Sequence, residues 1–102
     1  MSDCSFEDFH RLVDQQFQLE LPGGGSAPLV LTDCRATGPG GSTSSFALTF
    51  KAGPDAPIEQ SSYLVSADGF GPEPIFLVPV GQRSGDTDFP LEYEAIFNRV
   101  PG

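Results

Sequence analysis

Residues 74–81 read Pro-Ile-Phe-Leu-Val-Pro-Val-Gly, and residues 91–100 read Leu-Glu-Tyr-Glu-Ala-Ile-Phe-Asn-Arg-Val. The first segment contains an apolar run, Ile75 to Val80, which has the length of a strand and is rich in β-branched and aromatic residues. Such a run predicts a buried β-strand. The polar loop between the segments contains Ser-Gly-Asp at 84–86, and these turn residues predict a reversal of the chain.

The second segment alternates between two kinds of side chain, as does a strand with one face in the core and one in water. Apolar residues fall on the predicted inner face and mainly polar ones on the outer face: Leu91, Tyr93, Ala95 and Phe97 against Glu92, Glu94, Ile96 and Asn98. The two segments together predict a β-hairpin that supplies much of the hydrophobic core.

The N-terminal part of the chain predicts one helix before the strands begin. Phe6, Phe9 and Val13 recur at helical spacing and Ser5 is a suitable N-cap, so a helix is predicted at about residues 6–14. Alternating apolar residues bounded by Gly and Pro then predict six strands in all, at about 16–21, 29–34, 45–51, 60–67, 75–80 and 91–99.

This order of elements is typical of one all-β domain that spans residues 1–102. A chain of 102 residues has the size of a single domain. No strand–helix–strand rhythm occurs, so a parallel sheet is not expected. The sequence therefore predicts an antiparallel six-stranded barrel or a small two-sheet sandwich, with the N-terminal helix over an open end or an edge.

The charge of the chain narrows the classes of partner. Five basic residues stand against fourteen acidic ones, which gives a formal net charge of −9. Nucleic acids and anionic membrane surfaces both bind proteins through basic side chains, so neither is an expected partner. A basic protein partner is compatible with this charge, and so is a surface that is acidic only for solubility.

The sequence predicts a domain made in a cytoplasm. No apolar run approaches the roughly 20 residues of a membrane span, and the N-terminus lacks the basic and apolar regions of a signal peptide. We expect cytoplasmic synthesis, with export only as part of an extracellular assembly. Cys4 and Cys34 are predicted to be free thiols, because two cysteines fit a reducing compartment, although their pairing is not settled by the sequence.

The sequence contains few residues that could form a catalytic or metal-binding site. His10, the one histidine, lies off the aromatic stripe of the helix and is predicted to face solvent rather than to activate Cys4 or Cys34. One histidine and two cysteines do not supply the ligands of a zinc site. Asp86 and Asp88 resemble the start of a calcium loop, but the later loop residues are missing, so they are a weak candidate. No cofactor is predicted.

Two further functions stay open as alternatives to a role in protein interaction. Glu92 and Glu94 lie on one face of a strand, about 7 Å apart by strand geometry, and form the acid–base pair of a small hydrolase in the weaker alternative. In the other, the barrel binds a small ligand or carbohydrate in a pocket at one end that Tyr63 or Tyr93 lines. The expectation remains that the protein is not an enzyme.

Several motifs together resemble a family of uncharacterised bacterial domains of about this length. In chain order they are Glu-x-Phe at 7–9, Phe-x-Leu-x-Phe at 46–50, Gln-x-x-Tyr at 60–63, Phe-Leu-Val-Pro-Val-Gly at 76–81 and Tyr-Glu-Ala-Ile-Phe-Asn at 93–98. Ser61 departs from the glycine that this family usually has there. The resemblance implies an accessory role beside phage-tail-collar-like fibre proteins, and it carries over no catalytic residue.

The residues and the resemblance together predict a non-enzymatic interaction or assembly module, with a protein partner or a second copy of the chain as the binding partner. Two surfaces are candidates: a sheet edge that accepts an added strand, and the outer face that holds Glu92, Glu94, Ile96 and Asn98. Ile96 is an apolar residue on an otherwise polar face, so it predicts either an interface or contact with a second sheet.

Overall fold

The computed structural model describes residues 6–38, 40, 45–57, 59–82, 85 and 88–98, and these form a closed antiparallel barrel of six strands. Its elements are one short helix and the six strands: α1 (Phe6–His10), β1 (Gln16–Glu20), β2 (Ser26–Ala36), β3 (Ser45–Ala52), β4 (Ser61–Ala67), β5 (Phe70–Gln82) and β6 (Leu91–Asn98). The strands follow one another around the wall in the order β1-β2-β3-β6-β5-β4, and β1 also pairs with β4. The all-β prediction is confirmed, and a barrel is found rather than a sandwich.

Alternating residues of the strands fill the interior. The predicted hairpin of β5 and β6 is present and antiparallel, and the predicted inner residues of β6, Tyr93 and Ala95, are buried. Side chains from every strand join one core, and the largest fully buried members of the strands are Phe17, Leu19, Leu29, Leu31, Phe46, Leu48, Phe50, Val65, Leu77 and Tyr93. One continuous core is therefore enclosed by the wall.

The predicted helix is too long by four residues. The structure ends α1 at His10 instead of continuing to Asp14, and turns follow. Asp14 has a positive φ of 73°, a conformation that a helix does not contain. Its N–H donates to the carbonyl of Leu31 on β2, at 2.7 Å. The chain leaves the helix early because this contact with the barrel replaces a helical hydrogen bond.

Strand β2 is longer than the sequence indicates and contains a bulge. It begins at Ser26 rather than at residue 29, because a tight turn, with the N–H of Leu21 donating to the carbonyl of Gly25, brings β2 back along β1. Its pairing with β3 shifts between Leu31 and Asp33. An extra residue in a strand reverses the alternation, and for this reason both Leu31 and Cys34 point inward although their spacing is odd.

The apolar run from Ile75 to Val80 predicted a strand that is buried along its whole length. That prediction is wrong. Ile75 and Leu77 are buried, but Phe76 and Val80 are exposed. The strand is also more than twice as long as predicted, because it starts at Phe70, directly after the turn at Asp68 and Gly69. The run is therefore an ordinary half-buried strand whose outer face is apolar.

Strand β5 changes its partner halfway along. Residues from Phe70 to Leu77 pair with β4, and pairs with β6 run only from Val78 to Gln82 among the described residues. Pro74 has no N–H, so its pair with Leu64 is not hydrogen-bonded and its nitrogen points away from β4. Pro74 thus directs its nitrogen to the side of β5 that no registered neighbour covers.

An aromatic cluster closes the barrel end where β6 finishes. Phe9 of α1 is fully buried, and its ring centroid lies 5.3–5.8 Å from those of Phe46, Phe70 and Phe97. These three rings belong to β3, β5 and β6. The Phe stripe of the helix therefore covers an open end, which is one of the two positions that the sequence predicted for it.

Candidate partner-binding face

Exposed apolar side chains are concentrated on one part of the barrel wall. Among the described residues, the large hydrophobic side chains that are exposed are Leu64 (42%), Phe76 (52%), Val80 (51%) and Ile96 (53%). They lie on β4, β5 and β6, which are neighbours in the barrel. We call these four residues the outer apolar patch. Contiguous exposed apolar surface of this kind is typical of binding sites, whereas scattered single residues are not.

Strand register places the four side chains on the same side of the barrel wall, with Val80 four residues beyond Phe76 along β5. Phe76 is paired with Ser62, so Leu64 lies diagonally across from it on the same outer face. Val78 is paired with Glu94, and this is the last pair between β5 and β6 at this end. Phe76 and Ile96 each lie two residues beyond it, on the same face as Val78 and Glu94. The patch therefore extends across both sides of the gap between these strands.

A second consequence of the register is that Ile96 helps to cover Ala47, a residue on the outer face of β3. Ala47 of β3 is paired with Arg35 on one side and with Ile96 on the other. Ala47 is buried although it faces outward, because the two longer side chains flank it. No second sheet packs on Ile96 in the described structure, so this residue is a surface group whose other side faces solvent.

Carboxylates border the patch on two sides. Glu92 and Glu94 lie on β6 beside the β5 residues Gly81 and Val78. On the opposite side Glu20 of β1 directly follows Leu19, the partner of Val65, so this exposed carboxylate lies next to Leu64. The surface is thus apolar in the middle and acidic at its borders, and Glu92 and Glu94 lie where the sequence predicted.

Arg35 and Lys51, the basic residues near this face in the part of the chain that the structure describes, already contact other groups. Arg35 lies 3.1 Å from a carboxylate oxygen of Asp33 and 3.1 Å from one of Glu94, and it also donates to the hydroxyl of Thr49. The ammonium of Lys51 lies over the ring of Phe89, 5.0 Å from its centroid. Exposed ion pairs of this kind add little stability, but they shield these cations from a new anionic partner.

The sequence pointed to only part of this face. Ile96, Glu92 and Glu94 were predicted from the alternation of β6. That strand was predicted to end at about residue 99 and ends at Asn98, whose side chain lies outside the described structure. Phe76 and Val80 were missed because they sit in an apolar run in which both faces look alike. Knowledge of the barrel would have corrected this. A strand in a barrel wall has one face toward the core and one toward solvent, so every second residue of the run must be exposed.

Tyr63 and Tyr93 lie at the barrel end opposite α1. In one of the alternatives predicted from the sequence, these residues line a ligand pocket at one end of the barrel. Both side chains are buried. The hydroxyl of Tyr63 donates to the carbonyl of Glu59 at 2.7 Å, and that of Tyr93 donates to the carbonyl of Pro57. The tyrosines therefore hold the β3–β4 connection against the barrel. The function of this end as a ligand pocket stays a prediction.

Burial gives Tyr93 a pH-dependent contribution to stability. Burial first and the nearby Tyr63 second raise the pKa of Tyr93 to about 12, whereas the pKa of an unfolded tyrosine is about 10. The folded state holds this proton more tightly, so its stabilisation is complete below about pH 10 and declines as the pH rises toward 12. We expect a loss of about 2 kcal/mol in the free energy of unfolding across that window.

Denaturant titrations at several alkaline pH values measure this effect. Tyr93→Phe should lower stability by about 1 kcal/mol at neutral pH, because the partly buried carbonyl of Pro57 loses its donor. It should also flatten the alkaline decline. If wild type and Tyr93→Phe lose stability with the same slope, the decline does not come from Tyr93.

The remaining candidate residues show no shared site. His10 is exposed and stacks on Phe6. Cys34 is a buried free thiol that contacts the carbonyl of Phe6 at 3.8 Å, and burial, followed by the charge of Asp33, raises its pKa to about 11. Asp88 is exposed, while Cys4 and Asp86 lie outside the described residues. No group of three or more metal-ligating side chains occurs in the described part of the chain.

Comparison with known proteins identifies the family. A search of the curated proteins and a search of the solved structures each gave no match. Within the described residues, no helix has the length and hydropathy required to cross a membrane. Residues 4–97 match a protein family described as a domain of unknown function. Because this match covers nearly the whole sequence, the chain belongs to the family described as "Domain of unknown function (DUF6916)".

Proposed function

We propose that this domain is a non-enzymatic protein-interaction module that binds its partner through the outer apolar patch. The supporting observation is that the exposed large hydrophobic side chains of the described residues all lie on three adjacent strands. Full burial of such a side chain is worth about 1.5–3 kcal/mol. Each half-exposed member of the patch therefore retains about 1 kcal/mol that a partner recovers by covering it.

The partner packs on the face of the wall rather than adding a strand. A closed barrel offers no free edge of the ordinary kind, and Pro74 directs its nitrogen to the side of β5 that lacks registered neighbours. Without an N–H group this proline cannot donate to an added strand. Phe76, Val80 and Ile96 instead present side chains, and large apolar side chains at the centre of an interface supply most binding energy.

The proposed setting is a bacterial fibre or phage-tail-like assembly, in which this domain is an accessory or structural component. The setting comes from the resemblance of residues 76–81 and 93–98 to domains that accompany tail-collar-like fibre proteins. The patch supports it because an accessory domain in an assembly needs at least one lasting contact. The family match, to a domain of unknown function, is compatible with this setting and adds no role of its own.

Co-expression with the products of neighbouring genes tests the proposal. The complex is purified through a tag on this domain, and its mass is measured by size-exclusion chromatography with light scattering. Ile96→Asp and Phe76→Ser should each weaken the complex at least about tenfold, because each removes an apolar contact at the centre of the interface. Both should shift the melting temperature by no more than about 4 °C, since these side chains are outside the core.

Gln16→Asp is the matched control. It also places a carboxylate on an outer strand face, but at the far end of β1 from Glu20 and Leu64, and should leave the complex intact. A complex that withstands both patch variants would contradict the proposed binding face. A domain that stays monomeric with every neighbouring gene product would contradict the interaction role in this setting.

A further inference from the structure

We infer that the outer apolar patch binds a partner segment that carries one uncharged hydrogen-bonding side chain, a hydroxyl or a carboxamide, among apolar side chains. That group bonds to the backbone in the gap between β5 and β6, at Phe76 and Ile96. The inference rests on the proposed function, because it names the chemistry of the partner for the same face. It follows from the direction of the backbone groups that border the gap and from the point at which the β5–β6 ladder ends.

Pro79 fixes the direction of the backbone groups of β5. This proline lies opposite Tyr93 and has no N–H, so that pair is not hydrogen-bonded. The neighbouring pair, Val78 with Glu94, is therefore the hydrogen-bonded one, and the N–H and carbonyl of Val78 point toward β6. This direction alternates along a strand, so the N–H and carbonyl of Phe76, two residues away, also point toward β6.

The end of the ladder leaves a donor and an acceptor on opposite sides of the gap. By the same alternation, the N–H and carbonyl of Ile96, two residues after Glu94, point toward β5. A hydrogen bond from the N–H of Phe76 to the carbonyl of Ile96 would continue the ladder. It would also place Leu77 opposite Ala95, and neither pair is registered. The N–H of Phe76 has no other backbone acceptor in the part of the chain that the structure describes.

A partner that covers the patch changes what these two backbone groups require. Phe76 and Ile96 are each about half exposed, so water reaches this part of the wall in the free protein. An apolar surface that packs on both side chains excludes that water. A buried donor or acceptor that is left without a hydrogen bond weakens binding. The partner must therefore supply an acceptor for the N–H of Phe76 and a donor for the carbonyl of Ile96.

Few side chains supply both. The hydroxyl of Ser or Thr and the carboxamide of Asn or Gln each donate and accept. Lys and Arg only donate and a carboxylate only accepts, so each of these would leave one backbone group unpaired. An added strand is not expected, because Pro74, whose nitrogen points toward the same gap, cannot donate to it. An uncharged polar side chain surrounded by apolar ones therefore matches the centre of the patch.

A binder selection with a defined probe tests the inference. The probe is a phage-displayed library of one small helical scaffold with a randomised face, selected on the intact wild-type protein. Clones that lose binding to Ile96→Asp are those that use the patch. Among them we expect Ser, Thr, Asn or Gln at the centre of the randomised face, with apolar residues around it. Replacing that central residue with an apolar one of similar size should weaken binding at least about fivefold, because the backbone groups lose their partner.

A backbone ester at Phe76 tests the contact from the side of this protein. Phe76→phenyllactic acid, introduced by nonsense suppression, replaces the N–H with an oxygen and keeps the ring. The ester should weaken the patch-dependent clones at least about fivefold. It should cause no such loss for the same clones once their central polar residue has been replaced. This non-additivity distinguishes a direct hydrogen bond from a general change in the strand.

Amide hydrogen exchange measures the donor without any substitution. The N–H of Leu77 points toward β4 and donates within its pair with Ser61, so it is the matched control. In the free protein it should exchange at least about a hundredfold more slowly than the N–H of Phe76. Binding of a patch-dependent clone should slow exchange at Phe76 at least about tenfold. Equal exchange at the two residues in the free protein would show that the ladder continues past Val78 and would overturn the unpaired donor.

The outcomes distinguish this inference from the proposed function. Patch-dependent clones with an apolar or charged centre would overturn the partner chemistry and leave the binding face in place. Patch-dependent clones that tolerate the ester at Phe76 would do the same. A selection in which no clone depends on Ile96 would count against the binding face itself.

Discussion

Replacing Phe9 with alanine is expected to lower the free energy of unfolding by about 3–5 kcal/mol. Phe9 is 0% exposed and contacts the rings of Phe46, Phe70 and Phe97. Alanine removes the ring from the end of the core and leaves a cavity among side chains of three strands, which relax only partly. For a domain of this size, such a loss is a large part of the total stability.

Phe76→Ala is the matched control for this prediction, because it makes the same change on the outer wall, where the ring is about half exposed. We expect that control to cost less than about 1 kcal/mol. Denaturant unfolding of both variants, followed by circular dichroism, gives the two values. Equal losses would mean that the helix does not close the barrel end in the way described.

Gly71→Ala is expected to destabilise the domain by about 2–4 kcal/mol, the second large effect. Gly71 has a φ of +74°, and a Cβ atom there would lie 2.6 Å from the carbonyl oxygen of Val65 and 3.0 Å from the nitrogen of Glu73. The first neighbour is a backbone atom of β4, so relief of that clash requires β4 and β5 to move apart; the second belongs to β5 itself, so its relief requires a local change in the β5 backbone. The conformational cost of a side chain at positive φ adds to this.

Gly69→Ala separates the clash from the conformational cost. Gly69 has a φ of +78°, and its Cβ would meet nothing within 4 Å. This variant should lose only about 1–2 kcal/mol, from the left-handed backbone alone. The difference between the two thermal unfolding curves measures the clash at Gly71. If Gly69→Ala is as destabilising as Gly71→Ala, the close approach of β5 to β4 is wrong.

The sequence was most informative where one strand face is apolar and the other polar. Phe46, Leu48 and Phe50 alternate cleanly with polar or small neighbours, and β3 was predicted to within one residue of its observed end at Ala52. The inner and outer faces of β6 were assigned correctly for the same reason. In these strands burial alone fixes which side chains point inward.

Prediction failed where tertiary contacts override local pattern. The apolar run of β5 has the same composition on both faces, so no periodic signal separates Phe76 from Leu77. The bulge in β2 reverses its alternation after Leu31, and a bulge leaves no mark in composition. The early end of α1 depends on a hydrogen bond between Asp14 and Leu31, which are joined only once the barrel has formed.

Half of the candidate face was therefore accessible from the sequence and half was not. Ile96, Glu92 and Glu94 could be assigned to a common outer face from one strand. Their position beside Phe76 and Val80 depends on the pairing of β5 with β6, and the contribution of Leu64 depends on the pairing of β5 with β4. A surface made by three strands cannot be read from the pattern of any one of them.

Side-chain footprinting of the co-purified complex tests the central claim most directly. Hydroxyl radicals oxidise exposed Val, Leu, Ile and Phe side chains, and mass spectrometry gives the oxidation rate of each residue in the free and the bound protein. We predict that the rates at Phe76 and Ile96 fall several-fold on binding, while the rate at Val30, a partly exposed residue of β2 on the opposite side of the barrel, stays unchanged. Unchanged rates at Phe76 and Ile96 in a stable complex would show that the partner binds elsewhere and would contradict the proposed face.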